Sequence, residues 1–566
     1  MNHDLSSKSL TNITIIALLS MVIMSSIGYG YLSVFKLWDE FQQFFSWVMN
    51  LEQLTEIMIN HSMPIYPYDL STLFTLGIIT IPISSLVISV FIVWFLLVLD
   101  YEPNTFRHLE GPVLLKHTNA IKHMNRLVKN EGMPGIYIHQ KAKLSLIREL
   151  GNIFIWGMQG SGKSNLIKLL LSQVIARKDK AIIYDIKGEY TELFLDSNAI
   201  LISPKDQRSA VWDLSKDIYN TGLAEVFSEA VLTSDATKEA FWVDSSRTVL
   251  KGVLVGLISN NKNWKWTDLN DALCLSDEDL HDFLLRHYPQ ASQLIKPNDK
   301  TTTSIRSMLA AQLSWIGDIA KNWEDVEKTF SISKWLSDNK KTSLLVQGDL
   351  KSPAMSSALI TALMSITTSF ILDRPDTDKD RIWLVLDELG NLNKSKSLEK
   401  WLSLGRSKGC RAIAGTQQLS QVNSIYGEND ANTILGLFNN IAVFKLAPNG
   451  NSAEVASKSL GQRRVEFVTK STNNKGESSN SFQQEMIPIV RAEDIIHLPQ
   501  ANIKKGIAGY MLLAGSEAVY RLNWPINTQF SKITTAVVLK PSTKKVTPEL
   551  SSEGKKANRL SRRKLS

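Results

Sequence analysis

Residues 152–164 read Asn-Ile-Phe-Ile-Trp-Gly-Met-Gln-Gly-Ser-Gly-Lys-Ser, and they set the architecture of the cytoplasmic part. Ile153 to Trp156 is an apolar run of the length of a buried strand. Gly157 to Ser164 fits G-x-x-x-x-G-K-[ST], and Leu166, Leu169, Leu170, Val174 and Ile175 follow at helical spacing. In that strand–loop–helix context the glycines let backbone N–H groups turn towards phosphate oxygens at a helix N-terminus. The candidate nucleotide-binding residues are therefore Gly157, Met158, Gln159, Gly160, Ser161, Gly162, Lys163, Ser164 and Asn165. Lys163 is expected on the β- and γ-phosphates and the Ser164 hydroxyl on Mg²⁺.

Further along, Ile382-Trp383-Leu384-Val385-Leu386-Asp387-Glu388 is an apolar strand that delivers two acids to the same edge. Asp387 is expected to hold Mg²⁺ through water, and Glu388 to orient and polarise the attacking water. Between these elements, Ala181-Ile182-Ile183-Tyr184 ends in Asp185, Lys187 and Glu189. That cluster is either a second-strand ligand site or a capped strand-to-helix turn. After the acidic strand come Gly405-Arg406-Ser407-Lys408-Gly409 and Arg411–Gly415, which runs into Thr416-Gln417. Gln417 suits a γ-phosphate sensor, whereas Arg406, lying before its strand, suits projection towards a neighbouring subunit's nucleotide. No N-K-x-D or L-S-G-G-Q stretch is present, which argues against a guanine-nucleotide switch and a transporter-type ATPase.

The stretch Asp213–Ser337 changes character, with helical apolar spacing and tryptophans at 242, 264, 266, 315, 323 and 335. It reads as an all-α insertion whose aromatics serve as core rather than as base-stacking platforms. Ser343–Gln347 resumes the sheet, Pro353–Leu372 is helical, and Asn440–Leu446, Gly509–Leu513 and Ala518–Trp524 are expected as its last strands.

Upstream, two uncharged runs, centred on Ile13–Phe35 and Leu73–Leu99, exceed the ~20 residues that cross a bilayer. A cleaved signal is the competing reading of the first. Loop 36–70 carries five acids and only Lys36, whereas Arg107, Lys116, Lys122, Arg126 and Lys129 follow the second run. The positive-inside rule then puts both termini in the cytoplasm. In 566 residues the two cysteines, Cys274 and Cys410, exclude a disulfide scaffold, and 21% charged content excludes a disordered polyelectrolyte. The net charge of +8 hints at an anionic partner, but nine bases and two acids crowd into Lys540–Ser566. The remaining chain is close to neutral, and the tail lacks the apolar residues needed to order itself.

The expected class is thus α/β, a RecA-like P-loop NTPase domain with an all-α insertion, preceded by two transmembrane helices. Residues 1–106 form the anchor (spans about 12–35 and 73–99, outside loop 36–70). Residues 107–212 and 338–530 form the nucleotide-binding domain, 213–337 the insertion, and 531–566 a basic disordered tail. This order resembles the coupling proteins of type IV secretion and conjugation, the TraD/TraG-like family of hexameric DNA-translocating ATPases. The likeness rests also on Asp185-x-Lys187-Gly188-Glu189, Leu386-Asp387-Glu388-Leu389, Gly405-Arg406-x-x-Gly409, Gly415-Thr416-Gln417, Ser424-Ile425-Tyr426-Gly427 and Arg491…Leu498-Pro499. The resemblance implies ATP and Mg²⁺ as cofactors, Arg406 as a finger acting in trans, and catalysis by Lys163, Glu388, Arg406 and Gln417. It further implies a homo-hexamer at the bacterial inner membrane, with relaxase or relaxosome proteins and type IV secretion inner-membrane components as partners. The cargo is DNA, single-stranded during transfer, with double-stranded DNA left open. The alternatives are a docking receptor that uses ATP as an assembly switch, and a chromosome translocase of the FtsK type. The latter is expected to have more spans, a long linker and a winged-helix module.

Overall fold

The computed structural model of the chain describes residues 106–233, 240–377, 379–472, 478–527 and 530–540. The two expected spans, the loop between them and residues 541–566 lie outside the described residues.

The ten strands of the main sheet are β1 (Val113–Lys116), β2 (Ile153–Trp156), β3 (Lys180–Asp185), β4 (Ala199–Ile202), β5 (Ser343–Gln347), β6 (Ile382–Leu386), β7 (Cys410–Thr416), β8 (Asn440–Val443), β9 (Ile507–Leu512) and β10 (Ala518–Trp524). They lie in the order β1-β10-β9-β8-β2-β7-β6-β3-β5-β4, and β9 alone runs against the others. The strand carrying Asp387 and Glu388 is thus separated from the phosphate-loop strand by β7. Register aligns Thr416 with Trp156 and Leu386 with Ala414, so the three strand ends meet at one edge.

Strands β2 and β6 are apolar on both faces because both faces are covered. Ile153 and Ile155 pack with Leu166, Leu170 and Val174 of helix α1 (Lys163–Ala176). Phe154 and Trp156 point the other way, into a core shared with the insertion. At about 1.5–3 kcal/mol for each large apolar side chain taken from water, this two-sided burial is what fixes the sheet.

The segment between β4 and β5 is helical and contains the long α2 (Ala240–Asn260). Its aromatics are core: Trp264, Trp266, Trp315, Trp323 and Trp335 are buried. Trp266 contacts Trp212, Phe227, Trp315 and Trp323 edge-on or tilted. At its neck the chain leaves and returns side by side, Val211–Trp212 pairing in parallel with Thr329–Phe330. Buried Asp217 closes this neck by accepting from the Trp212 indole and from the backbone N–H groups of Ile332 and Ser333. The insertion does not enclose a separate core; its apolar residues are continuous with one face of the sheet through α3 (Pro353–Leu372). Helix α3 has the length and apolarity of a membrane span, yet 78% of its most apolar window is buried inside the protein. An all-round apolar helix is what a position between two layers demands.

Two elements differ from the sequence reading. Gln462–Thr472 and Ser478–Pro488 form a long antiparallel hairpin, with Phe482 and Met486 exposed on it. The segment 530–540, assigned from composition to the solvated tail, is instead held against the body. Its extended backbone finds fixed partners: Arg208 donates to the Thr534 hydroxyl and to the carbonyls of Thr535 and Ala536. The Val538 N–H reaches Asp206, the Gln207 N–H reaches the Val538 carbonyl, and Gln347 donates to the Ala536 carbonyl. This strap begins beyond β10 and crosses the ends of β3, β5 and β4. Net hydrogen bonds are worth about 1 kcal/mol each, so a chain ending at Lys540 should unfold at the same denaturant midpoint as the whole. A chain ending at Asn527 should lose about 2–4 kcal/mol, since Asp206 and Arg208 are left short of partners. Equal midpoints for both truncations would show the strap to be merely resting on the surface.

Candidate functional site

The loop after β2 turns by placing Gly160 (φ 73°) and Gly162 (φ 108°) in the left-handed region. At Gly162 there is no room for an alternative residue, because a Cβ would come within 2.6 Å of the Ile507 side chain. Gly162 is the N-cap of α1, so the first free N–H groups of that helix open onto the loop. Lys163 is buried, and its ammonium donates to the Gly157 carbonyl at 2.7 Å. Burial lowers its pKa, while Glu388 and Asp387 oppose the shift. The Ser164 hydroxyl lies 3.3 and 3.4 Å from the two oxygens of Asp387. One hydroxyl and one carboxylate are a donor set suited to Mg²⁺, which keeps several waters and takes phosphate oxygens from the nucleotide.

Glu388 is held at one end only. Its Oε1 accepts from the Thr416 hydroxyl at 2.9 Å and from the Gln417 backbone N–H at 3.2 Å. Its Oε2 is shielded from solvent and has no partner among the described residues. Burial raises the pKa of Glu388 and of Asp387. An acceptor that is fixed, desolvated and unsatisfied is what a water-orienting carboxylate requires. Gln417 follows β7 beside it and is half-buried. The Asn165 side chain faces the start of the strap: its Nδ2 donates to the Pro525 carbonyl and its Oδ1 accepts from the Asn527 N–H.

Of the second-strand cluster, Asp185 is turned inward. Its Oδ2 accepts from the N–H and hydroxyl of Thr191 at 2.6 and 2.8 Å, which is the capped-turn role. Glu189 pairs with Lys168 at 2.8 Å, and the exposed Lys187 acts electrostatically on Lys163 and Asp387. Gly188, at φ 78°, sits under the strap, where a Cβ would meet that of Ala536 at 2.7 Å.

Arg406 is not with the others. It lies in the 3₁₀ turn Leu404–Lys408 that precedes β7, whereas the phosphate loop follows the adjacent parallel strand β2. A seven-residue strand separates the two edges by about 20 Å. The exposed guanidinium has no hydrogen bond or ion pair among the described residues. It lines an open groove of about 850 Å³ with Met133, Ile147 and Leu404, three apolar side chains that are themselves exposed.

Sequence reasoning missed three residues at the site. Gln500 donates to the Gly160 carbonyl at 3.3 Å, Ile507 packs against the loop, and Tyr190 is buried beside Ser164. Leu498-Pro499 marked the region of the first, but nothing local marks a side chain that meets the loop more than 300 residues from it in sequence.

A family model described as the type IV secretion-system coupling protein DNA-binding domain matches residues 137–521. The coupling protein TraD of Escherichia coli (strain K12) is 27% identical over 357 residues, which is 61% of this chain and 48% of TraD. The chain therefore spans about half the length of that relative. Solved structures of the bacterial conjugative coupling protein TrwBdeltaN70 are similar. The unbound monoclinic form has a TM-score of 0.66 at 23% identity, covering 76% of this chain and 97% of that one. TrwB in complex with the non-hydrolysable ATP analogue ADPNP has a TM-score of 0.66 at 23% identity, covering 77% and 98%. TrwB with ADP and Mg²⁺ has a TM-score of 0.63 at 22% identity, covering 76% and 97%.

Proposed function

The chain belongs to the type IV secretion-system coupling proteins, and from that premise we propose that it is a membrane-anchored, RecA-like ATPase that pumps DNA as a hexameric ring. In this reading it recruits relaxase-bound DNA to the inner-membrane components of a secretion channel. The single observation that carries turnover, rather than passive nucleotide binding, is the unsatisfied Glu388 Oε2 beside the Ser164–Asp387 pair. A protein that uses nucleotide only as an assembly clamp has no use for a buried, fixed and unpartnered carboxylate oxygen. That ATP and Mg²⁺ bind is supported by the residues present and by TrwB, whose structures contain ADPNP and ADP with Mg²⁺.

Each residue has a task set by its surroundings. The backbone of residues 157–162 and Lys163 hold the phosphates; Lys163 gives up the Gly157 carbonyl to do so. Ser164 and Asp387 hold the metal, which neutralises charge developing on the β- and γ-phosphates. Glu388, braced by Thr416 and Gln417, aligns the attacking water. Arg406 acts on the nucleotide of the next subunit, and Gln417 reports the γ-phosphate to β7. The two apolar N-terminal runs anchor the ring, with both termini in the cytoplasm.

The purified full-length chain should hydrolyse ATP faster with single- or double-stranded DNA present, and Lys163→Ala should lack that stimulated rate. Hydrolysis indifferent to DNA, together with tight binding of a relaxase, would replace the pump by a docking receptor.

A further inference from the structure

The strand-to-helix turn after β3 sends one side chain back under the phosphate loop. Tyr190, the second residue of the helix Glu189–Phe194, is 2% exposed, and its ring packs in the core beneath α1. Its hydroxyl is shielded from water and has no hydrogen-bond partner at standard distance among the described residues. The polar groups that face it are the Ser164 hydroxyl and the carboxylates of Asp387, Asp185 and Glu189. Asp185 is already committed to Thr191, and Glu189 to Lys168. Ser164 and Asp387 remain, and they are the two side chains assigned to Mg²⁺.

A buried hydroxyl left without a partner is costly, and phenylalanine would fill the same volume without that cost. The oxygen is therefore explained by a state in which it is satisfied. We propose that Tyr190 is a positioning residue of the metal–nucleotide site, its phenol hydroxyl joining the hydrogen-bond set that aims Ser164 and Asp387 at Mg²⁺. This rests on the reading of Ser164 and Asp387 given above. Partners one shell out from a metal fix the orientation of its ligands, and their loss typically lowers metal affinity or activity 10–100-fold. Asp185 and Gly188 acquire a purpose here: the cap on Thr191 and the left-handed turn hold the helix that carries Tyr190.

The test is Tyr190→Phe in the full-length chain, read by fluorescent ADP binding across a Mg²⁺ titration and again in chelator. The variant should need about tenfold more Mg²⁺ for half-maximal enhancement of ADP binding. Its affinity for ADP in chelator, and its unfolding temperature without ligand, should match or exceed those of the parent. An unchanged Mg²⁺ requirement in Tyr190→Phe, with a clear requirement in the parent, overturns the role of Tyr190 alone. A parent whose ADP binding ignores Mg²⁺ overturns the assignment of Ser164 and Asp387 as well. A variant that binds ADP poorly even in chelator and melts early shows a packing role, and also overturns the proposal.

Discussion

A chain carrying Glu388→Gln is expected to bind ATP as the parent does and to hydrolyse it on the order of 10²–10⁴-fold more slowly. The substitution keeps the shape and the Oε1 acceptor, so the bonds from Thr416 and from the Gln417 backbone survive. What changes is the other end. Where Oε2 offers an unsatisfied acceptor, the amide offers N–H donors, and a donor cannot orient a water for attack on phosphorus. Because the site is desolvated, no bulk water replaces the lost acceptor. Single-turnover hydrolysis and equilibrium binding of a fluorescent ATP separate the two effects. A rate within twofold of the parent would remove Glu388 from the chemistry and with it the argument for turnover.

Arg406→Ala should be comparably severe, since a finger supplied from a neighbour contributes on the order of 10³–10⁵ in rate in NTPases. Its distinguishing feature is complementation. Arg406 lies at the opposite edge of the sheet from Lys163 of the same chain. A Lys163→Ala subunit, inactive itself, still presents a sound Arg406 to its neighbour's site. Mixed assemblies of Arg406→Ala and Lys163→Ala chains should therefore recover hydrolysis that neither has alone. Absence of recovery in assemblies proved to contain both chains would put the finger elsewhere.

The elements legible in the sequence are those whose signal is local. Strand β2, the loop and α1 are contiguous, and the apolar run ending in Asp387-Glu388 announces a buried strand and its edge. The tryptophan-rich insertion reads as helix because its apolar spacing is helical, and the buried cluster around Trp266 agrees. Elements defined by remote partners were not legible. Residues 530–540 have the composition of a solvated tail, and only the folded positions of Asp206, Arg208 and Gln347 give their backbone somewhere to bond. The long hairpin at 462–488 is polar on both faces over much of its length, which leaves little alternation to read. At the site, Asp185 looks like a ligand in sequence and is a cap in space, whereas Tyr190, five residues on, looks like core and meets the metal ligands. The net charge of +8 likewise describes the last residues of the chain and says little about the motor.

The placement of Arg406 and Lys163 on opposite edges of one sheet has a consequence for symmetry. A two-fold dimer joins identical patches, so it can bury two phosphate loops or two arginine edges together but never one against the other. Completing a site requires a head-to-tail contact, in which every copy is at once donor and acceptor. Such a contact carries no stop of its own: it ends only when the rotation between copies closes on itself, and otherwise it propagates as a filament. Closure must therefore be enforced by the angle between neighbouring subunits. A substitution in the groove around Met133, Ile147 and Leu404 that alters this angle would leave every chain folded and every site intact, yet trade rings for open helical polymers.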